Sequence, residues 1–198
     1  MNKKVLFITD SLEDLDLNKD TSILMMEESI KLGFDVYQCH VEDLYAENSE
    51  VIVFAKKITT VSTSEIKFDD TSTHSIKTFE YSFMRKDPPI DEDYMNALHL
   101  LGLAQAMGTK VFNNPVSIKE FNEKVFAIHF AKYIPETLIS SKIDKIKSFI
   151  KDKKEIVVKP LNGMGGKSIY KMDKIQESEI ETLLKMTNNE STQIITQE

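Results

Sequence analysis

The chain opens on a continuous apolar run, Val5-Leu6-Phe7-Ile8, of the kind carried by a strand buried on both faces, which predicts a central strand. Asp20 or Thr21 then caps a helix with Ile23, Met26 and Ile30 at helical spacing and Gly33 at its close, and Val36 to Cys39 forms a second strand. Strand, helix, strand in that order implies a right-handed crossover and a parallel sheet. Between residues 50 and 84, Val51 to Phe54, Ile66 to Phe68 and Ile76 to Met84 are expected strands separated by Ser/Thr/Asp-rich turns, in an order the pattern leaves open. Tyr94, Leu98, Leu101 and Ala104 mark a helix from Asp91 to Met107 that ends at Gly108, ahead of a short strand, Val111-Phe112.

Ser117 with Glu120 has the form of a capping box, and Ile118, Phe121, Val125 and Ile128 supply one apolar face of the helix expected to follow. Beyond Pro135, Thr137 to Ile139 is an expected strand, and Ile143, Ile146, Phe149 and Ile150 line a helix. Ile156 to Lys159 and Ser168 to Met172 are two strands around a glycine loop, followed by a helix from about Ser178 to Met186 and a last strand, Gln193 to Thr196. The pattern predicts an α/β chain: a Rossmann-like, parallel-sheet domain over 1–120 and an α+β arrangement over 121–198.

Composition narrows the function classes. The chain has 198 residues, 41% of them hydrophobic, and a net charge of −7, with no Lys/Arg-rich stripe. That balance argues against disorder, and against nucleic acid or an anionic membrane as the main partner. Cys39 is the only cysteine, so there is no disulfide framework and no CxxC pair, and its expected role is that of a small buried hydrophobe in a reducing compartment. The apolar run at Val5–Ile8 is too short for a signal-peptide core or a membrane span, so a cytoplasmic location is expected.

Three of six glycines, Gly163, Gly165 and Gly166, lie within four residues. The segment Lys159 to Ser168 ends in Gly-Lys-Ser, yet it is not a Walker A motif: the required earlier glycine is Leu161, and Ile169-Tyr170 does not open a helix. A dinucleotide fingerprint fails where its third glycine would be Ser168. What remains is a glycine loop between antiparallel strands, flanked by Lys159 and Lys167, whose backbone N–H groups can wrap phosphate oxygens. An ordinary hairpin turn would need fewer residues. The histidines His40, His74, His99 and His129 have no paired spacing with Cys39 or one another that suggests a triad or a metal site.

The blocks Met84-Arg85-Lys86-Asp87-Pro88-Pro89, Asn113-Asn114-Pro115, Asn122-Glu123-Lys124, Pro135-Glu136-Thr137-Leu138 and Val158 to Gly166 resemble, in order and spacing, the bacterial glutathione synthetases. Phe7-Ile8-Thr9-Asp10 with Lys19-Asp20-Thr21-Ser22 is similar to their N-terminus, and the likeness is weakest from about 46 to 76. The glycine loop alone would indicate only an ATP-grasp ligase. The resemblance implies a pre-ATP-grasp substrate domain over 1–120, followed over 121–198 by the first part of an ATP-grasp domain. It implies ATP-dependent ligation of γ-glutamylcysteine and glycine through an acyl phosphate, giving glutathione, ADP and phosphate. No side-chain nucleophile is required, because the protein chiefly positions groups and neutralises charge.

Carried over by the resemblance, Lys124 and Lys159 contact the ATP phosphates, Gly163, Met164, Gly165, Gly166 and Ser168 form the loop over them, and Gln197 and Glu198 begin the adenine-contacting hinge. Arg85 meets the peptide substrate's carboxylate, or else pairs with Asp87 or Asp91. Asp20, with Ser22, is substrate-side or a helix cap, and Asn114 lines the cleft or simply precedes Pro115. The family's magnesium (or manganese) ligands fall after residue 198, so no metal ligand is expected in this chain, which reads as an N-terminal portion with little activity alone. Its segment 193–197 would then be an unpaired edge beside an exposed apolar face. Homo-oligomers, commonly tetramers, are implied as well. Two other readings stay open: another ATP-grasp carboxylate–amine ligase, or a non-catalytic nucleotide- or peptide-binding module.

Overall fold

The computed structural model, which describes residues 2–62, 64–151, 153, 155–163, 166, 168–173 and 176–198, divides into two units, Met1–Glu120 and Phe121–Glu198. In the first, β1 (Lys4–Ile8) is followed by α1 (Thr21–Lys31), which begins where Asp20 accepts the Ser22 N–H and ends before Gly33, at φ +83°. Next come β2 (Asp35–Cys39), a 3-10 turn, β3 (Leu44–Glu47), β4 (Glu50–Val61), β5 (Ile66–Ser75), a second 3-10 turn and β6 (Tyr81–Met84). They are followed by α2 (Glu92–Ala106), capped by Asp91, then β7 (Val111–Phe112) and α3 (Pro115–Glu120).

These strands form one seven-stranded sheet in the order β3-β4-β2-β1-β6-β7, with β5 on β4. β1 pairs in parallel with β2 and β6, and β6 with β7, whereas β4 runs antiparallel to β2, β3 and β5. Alternation along β1 explains its central place. Leu6 and Ile8 enter a core with Leu98 and Leu101 of α2, while Val5 and Phe7 enter a second core with Ile23 and Met26 of α1.

The middle of this unit departs from the expectation. The strand expected at Val51–Phe54 continues to Val61, and β5 runs through the Ser/Thr/Asp-rich stretch expected to turn. Irregularities between Lys56 and Thr60 switch β4 from presenting Val51, Val53 and Ala55 to one core to presenting Ile58 and Val61 to the other. Ile76 to Thr78, expected as strand, is a 3-10 turn.

A larger departure lies at the expected helix after Ser117. No continuous helix forms. Asn114 caps α3 by accepting from Val116 and Ser117 N–H groups, with Pro115 in the first turn, so the Ser117–Glu120 capping box is not used. Asn122 then accepts from Lys124 and Val125 N–H groups and starts a new short helix, α4 (Glu123–Phe126), which runs into 3-10 turns over Ala127–Tyr133. The stripe expected to be buried is exposed at Phe121, Val125 and Ile128.

The second unit continues with β8 (Thr137–Ser140), α5 (Ile143–Ile150), β9 (Ile156–Pro160), β10 (Tyr170–Met172), α6 (Glu177–Met186) and β11 (Ile194–Gln197). Its four-stranded antiparallel sheet has the order β10-β9-β11-β8. The unpaired edge expected at 193–197 is absent: β11 is an inner strand bonded to β9 and β8, and Ile194, Ile195 and Thr196 are buried. Ile143, Ile146 and Ile150 of α5 and Leu183 of α6 pack with Ile156, Val158 and Ile194 on one face of the sheet. Among the described residues, no helix is long and apolar enough to cross a membrane.

Candidate functional site

Two groups of polar residues stand out, one in each unit. The first gathers at the carboxyl ends of β1 and β6, where open parallel sheets present their loops to ligands. Arg85, just after β6, donates from Nη2 to Thr21 Oγ1 at 2.7 Å and from Nε to Ser22 Oγ at 3.3 Å. It pairs with neither Asp87 nor Asp91, the partners expected had it been a plain surface ion pair; among the described residues, no carboxylate neutralises it. A guanidinium steadied by two hydroxyls at the first turn of a helix is suited to bind a carboxylate. Beside it, Asp10 Oδ1 meets Lys86 Nζ at 2.6 Å and Asp10 Oδ2 accepts from Asp87 N at 2.8 Å, joining the two strand ends. A depression of about 400 Å³ lined by Asp10, Asp14, Asp16, Lys19, Asp20 and Asp87 opens there.

Arg85, Asp20 and Ser22 therefore lie together. Asn114 does not join them through a hydrogen bond; its side chain caps α3, while Asn113 donates to the Met84 carbonyl at 3.3 Å. Asp10 and Lys86 belong to the cluster as well; both stand in the blocks that carry the resemblance, with no role assigned to them there.

The second group surrounds the glycine loop. Lys124 Nζ, on α4, donates to the Leu161 and Gly163 carbonyls at 3.0 and 2.8 Å and lies 2.7 Å from Glu123 Oε1. Burial pushes the Glu123 carboxyl upward, but the Lys124 ammonium together with a backbone hydrogen bond leaves Glu123 below the usual carboxylate range. Asn122 Nδ2 donates to Leu161 O and Asn162 Oδ1 at 3.3 and 3.2 Å, so two side chains from the start of α4 hold the base of the loop. Gly163 has to be glycine, since a Cβ there would lie 2.6 Å from Pro160 Cγ. Gly166 and Ser168 both have positive φ, at +74° and +56°. Met164, Gly165 and Lys167 lie outside the described residues.

Lys159, at the end of β9, has a different partner. Its Nζ donates to Gln197 Oε1 at 3.0 Å, and among the described residues no carboxylate pairs with it. Glu198 points elsewhere: its carboxylate and that of Glu136 both meet Lys153, whose ammonium their hydrogen bonds raise above the ordinary lysine range. Lys124 thus holds the described base of the loop through its carbonyls, while Lys159 stands on the strand that leads into the loop, with its ammonium at Gln197. Ammonium groups beside a glycine loop suit the phosphates of a nucleotide. Asn122 and Thr137, the latter beside Gln197, are polar participants that the sequence reading placed in its motifs without assigning them a role. Among the described residues, no three His, Cys, Asp or Glu side chains are placed together to hold a metal ion. Cys39 is buried, and burial pushes its thiol well above the ordinary range, which leaves it an inert core residue.

Comparison with known proteins reaches both units. Residues 3–119 match the prokaryotic glutathione synthetase N-terminal domain, and residues 123–198 the prokaryotic glutathione synthetase ATP-grasp domain. Glutathione synthetase of Vibrio vulnificus is 32% identical over 171 residues, covering 85% of this chain and 54% of that protein. The Neisseria meningitidis enzyme is 32% identical over 192 residues, covering 92% of this chain and 60% of that one. The chain thus spans between half and two thirds of the length of these relatives. Among solved structures, D-cycloserine synthetase aligns with a TM-score of 0.61 at 14% identity, over 98% of this chain and 58% of that one, a likeness of fold. With both units matched in order along the chain, this protein belongs to the prokaryotic glutathione synthetase family and has an ATP-grasp fold.

Proposed function

We propose that this protein works in the ATP-dependent ligation of γ-glutamylcysteine to glycine, with residues 1–120 taking the peptide acid and residues 121–198 the nucleotide phosphates. The observation that carries the reading is the Lys124 ammonium bonded to the Leu161 and Gly163 carbonyls of the glycine loop, with Lys159, paired to no carboxylate among the described residues, on the strand that leads into that loop. ATP supplies a phosphoryl group that turns the cysteinyl carboxylate into an electrophile able to accept an amine. The chain's own residues do the positioning. Lys124 and Lys159 offset phosphate charge, the backbone of Gly163 and Gly166 approaches the phosphates without obstruction from a Cβ, and Arg85 orients a substrate carboxylate. The curated relatives' common name favours glutathione over another product.

Magnesium belongs to this reading through the family rather than through a ligand set among the described residues. The small-molecule substrates, a cytoplasmic setting and an oligomeric state are parts of the same proposal.

Calorimetric titration of the chain with ADP and, separately, with γ-glutamylcysteine tests it. Lys159→Met is expected to weaken ADP roughly 10- to 100-fold, the loss of one charge-assisted contact, and to leave γ-glutamylcysteine unchanged. Arg85→Ala is expected to do the reverse. Equal losses of both ligands in both variants would contradict the division of labour.

A further inference from the structure

The contact that holds Lys159 continues beyond Gln197. β11 runs antiparallel between β9 and β8, with Ile195 opposite Lys159, and Gln197 opposite Val157 on one side and Thr137 on the other. Lys159 and Gln197 are therefore diagonal neighbours on one face, within reach of long side chains, and Gln197 and Thr137 are direct cross-strand partners. A polar row crosses three strands: Lys159 Nζ donates to Gln197 Oε1 at 3.0 Å, Gln197 Nε2 to Thr137 Oγ1 at 2.9 Å, and Thr137 Oγ1 to the Pro135 carbonyl at 2.8 Å.

The order of donors fixes the row. Thr137 has one hydroxyl proton and uses it on Pro135, so its oxygen can only accept from Gln197. That places the Gln197 NH2 toward Thr137 and its carbonyl oxygen toward the ammonium; the flipped amide would set donor against donor at Lys159. Glutamine is also neutral. A carboxylate in its place would hold the lysine equally well but would compete with an incoming phosphate for the same charge, as Glu123 is placed to do at Lys124. The ends of the two strands are tied as well, because Glu198 N donates to Glu136 O at 3.1 Å and Lys153 bridges the two carboxylates.

We propose that Gln197 and Thr137 are positioning residues that aim the Lys159 ammonium at nucleotide phosphate while leaving its charge uncompensated. This rests on the reading of Lys159 as a phosphate ligand, and it gives the Gln197 side chain a task other than contacting adenine.

The test is titration with ADP and with adenosine of the wild-type chain and of Gln197→Glu, Thr137→Val, Thr137→Ser and Lys159→Met, with NMR relaxation of the Lys159 Cε as a second readout. Gln197→Glu is expected to weaken ADP about tenfold through charge competition and to leave adenosine unchanged. Thr137→Val is expected to weaken ADP a few-fold and make the Lys159 Cε more mobile, with both effects reversed in Thr137→Ser. A merely structural role would lower adenosine and ADP together and leave the Cε order unchanged, and that result overturns the proposal. If Lys159→Met binds ADP like wild type, the phosphate reading itself fails. If Lys159→Met loses ADP while Gln197→Glu and Thr137→Val keep it, the positioning row alone fails.

Discussion

The sheet of residues 1–120 and the sheet of residues 121–198 use their two faces differently. In the first, consecutive residues of β1 feed opposite cores, one under α2 and one under α1. In the second, the cluster of buried apolar side chains described here gathers on the face covered by α5 and α6. The opposite face carries the half-buried row of Lys159, Gln197 and Thr137. A sheet padded on both sides has little room on its faces for chemistry, and its polar cluster sits at strand ends, around Asp10 and Arg85. In the second sheet the two helices lie on one face, and the other face carries its polar row beside the buried Ile195.

Core truncations should sharpen this contrast most. Leu98→Ala in α2 and Ile146→Ala in α5 remove fully buried side chains and are expected to cost about 2–5 kcal/mol each in urea unfolding. Phe130, 52% exposed in the segment after α4, should cost under about 0.5 kcal/mol when changed to alanine. A Phe130→Ala loss as large as that of Ile146→Ala would place the aromatic segment, where Phe126 meets Phe121 and Phe130 edge to face, in a core instead.

Asn122→Ala comes next, at about 1 kcal/mol for the lost cap. Because Asn122 also holds Leu161 and Asn162, hydrogen exchange should speed up there as well as in α4; an effect confined to α4 would mean that the loop is held by Lys124 alone.

The segment containing Asn122 also shows what the sequence conveys and what it hides. Ile118, Phe121, Val125 and Ile128 keep helical spacing, yet spacing reports which residues would share a face only if the backbone stays helical. Asn114-Pro115 and Asn122 are better starts than Ser117, and each accepts two backbone N–H groups that a continuous helix would have used otherwise. Those starts could have been read from the residue types. Ile66 to Phe68 is an expected strand and opens β5, but the rest of β5 could not be read, because an edge strand exposed over most of its length carries no apolar alternation to detect. β1, α1, α2 and α5 were legible because their apolar patterns, and in α1 and α2 the caps Asp20 and Asp91, agree with where they pack. In the candidate site, the lysines and the loop were visible as motifs. Their partners, Asn122 with Asn162 and Gln197 with Thr137, lie 40 and 60 residues apart, so register alone brings them together.

A smaller effect concerns the pair that joins β2 to β4. Lys57, 2.9 Å from Asp35, holds the Asp35 carboxyl below the usual range and is itself raised by it. Asp35 contributes stability above its unfolded pKa, near 4, that is lost as pH falls through its lowered folded value. Lys57 contributes below its unfolded pKa, near 10.4, and loses that contribution as pH rises through its raised value. For a pair this exposed the amount is under about 1 kcal/mol. Asp35→Asn should flatten both limbs of the stability–pH curve, and an unchanged curve would show that the pair contributes nothing.

Smallest of all, Thr196→Val should leave stability unchanged or raise it by up to about 1 kcal/mol. The Thr196 hydroxyl is buried on the apolar face and, among the described residues, has no hydrogen-bond partner. A clear loss would mean that the hydroxyl has a bonding role on that face.

The most direct test of the nucleotide-phosphate assignment is a 1H–15N NMR titration of the chain with ADP. Shifts are expected at Asn122 to Val125, at Lys159 and Gly163, and at Ile195 and Gln197, with the amides of Met1–Glu120 largely still. Shifts confined to Met1–Glu120, or none at saturating ADP, would contradict it.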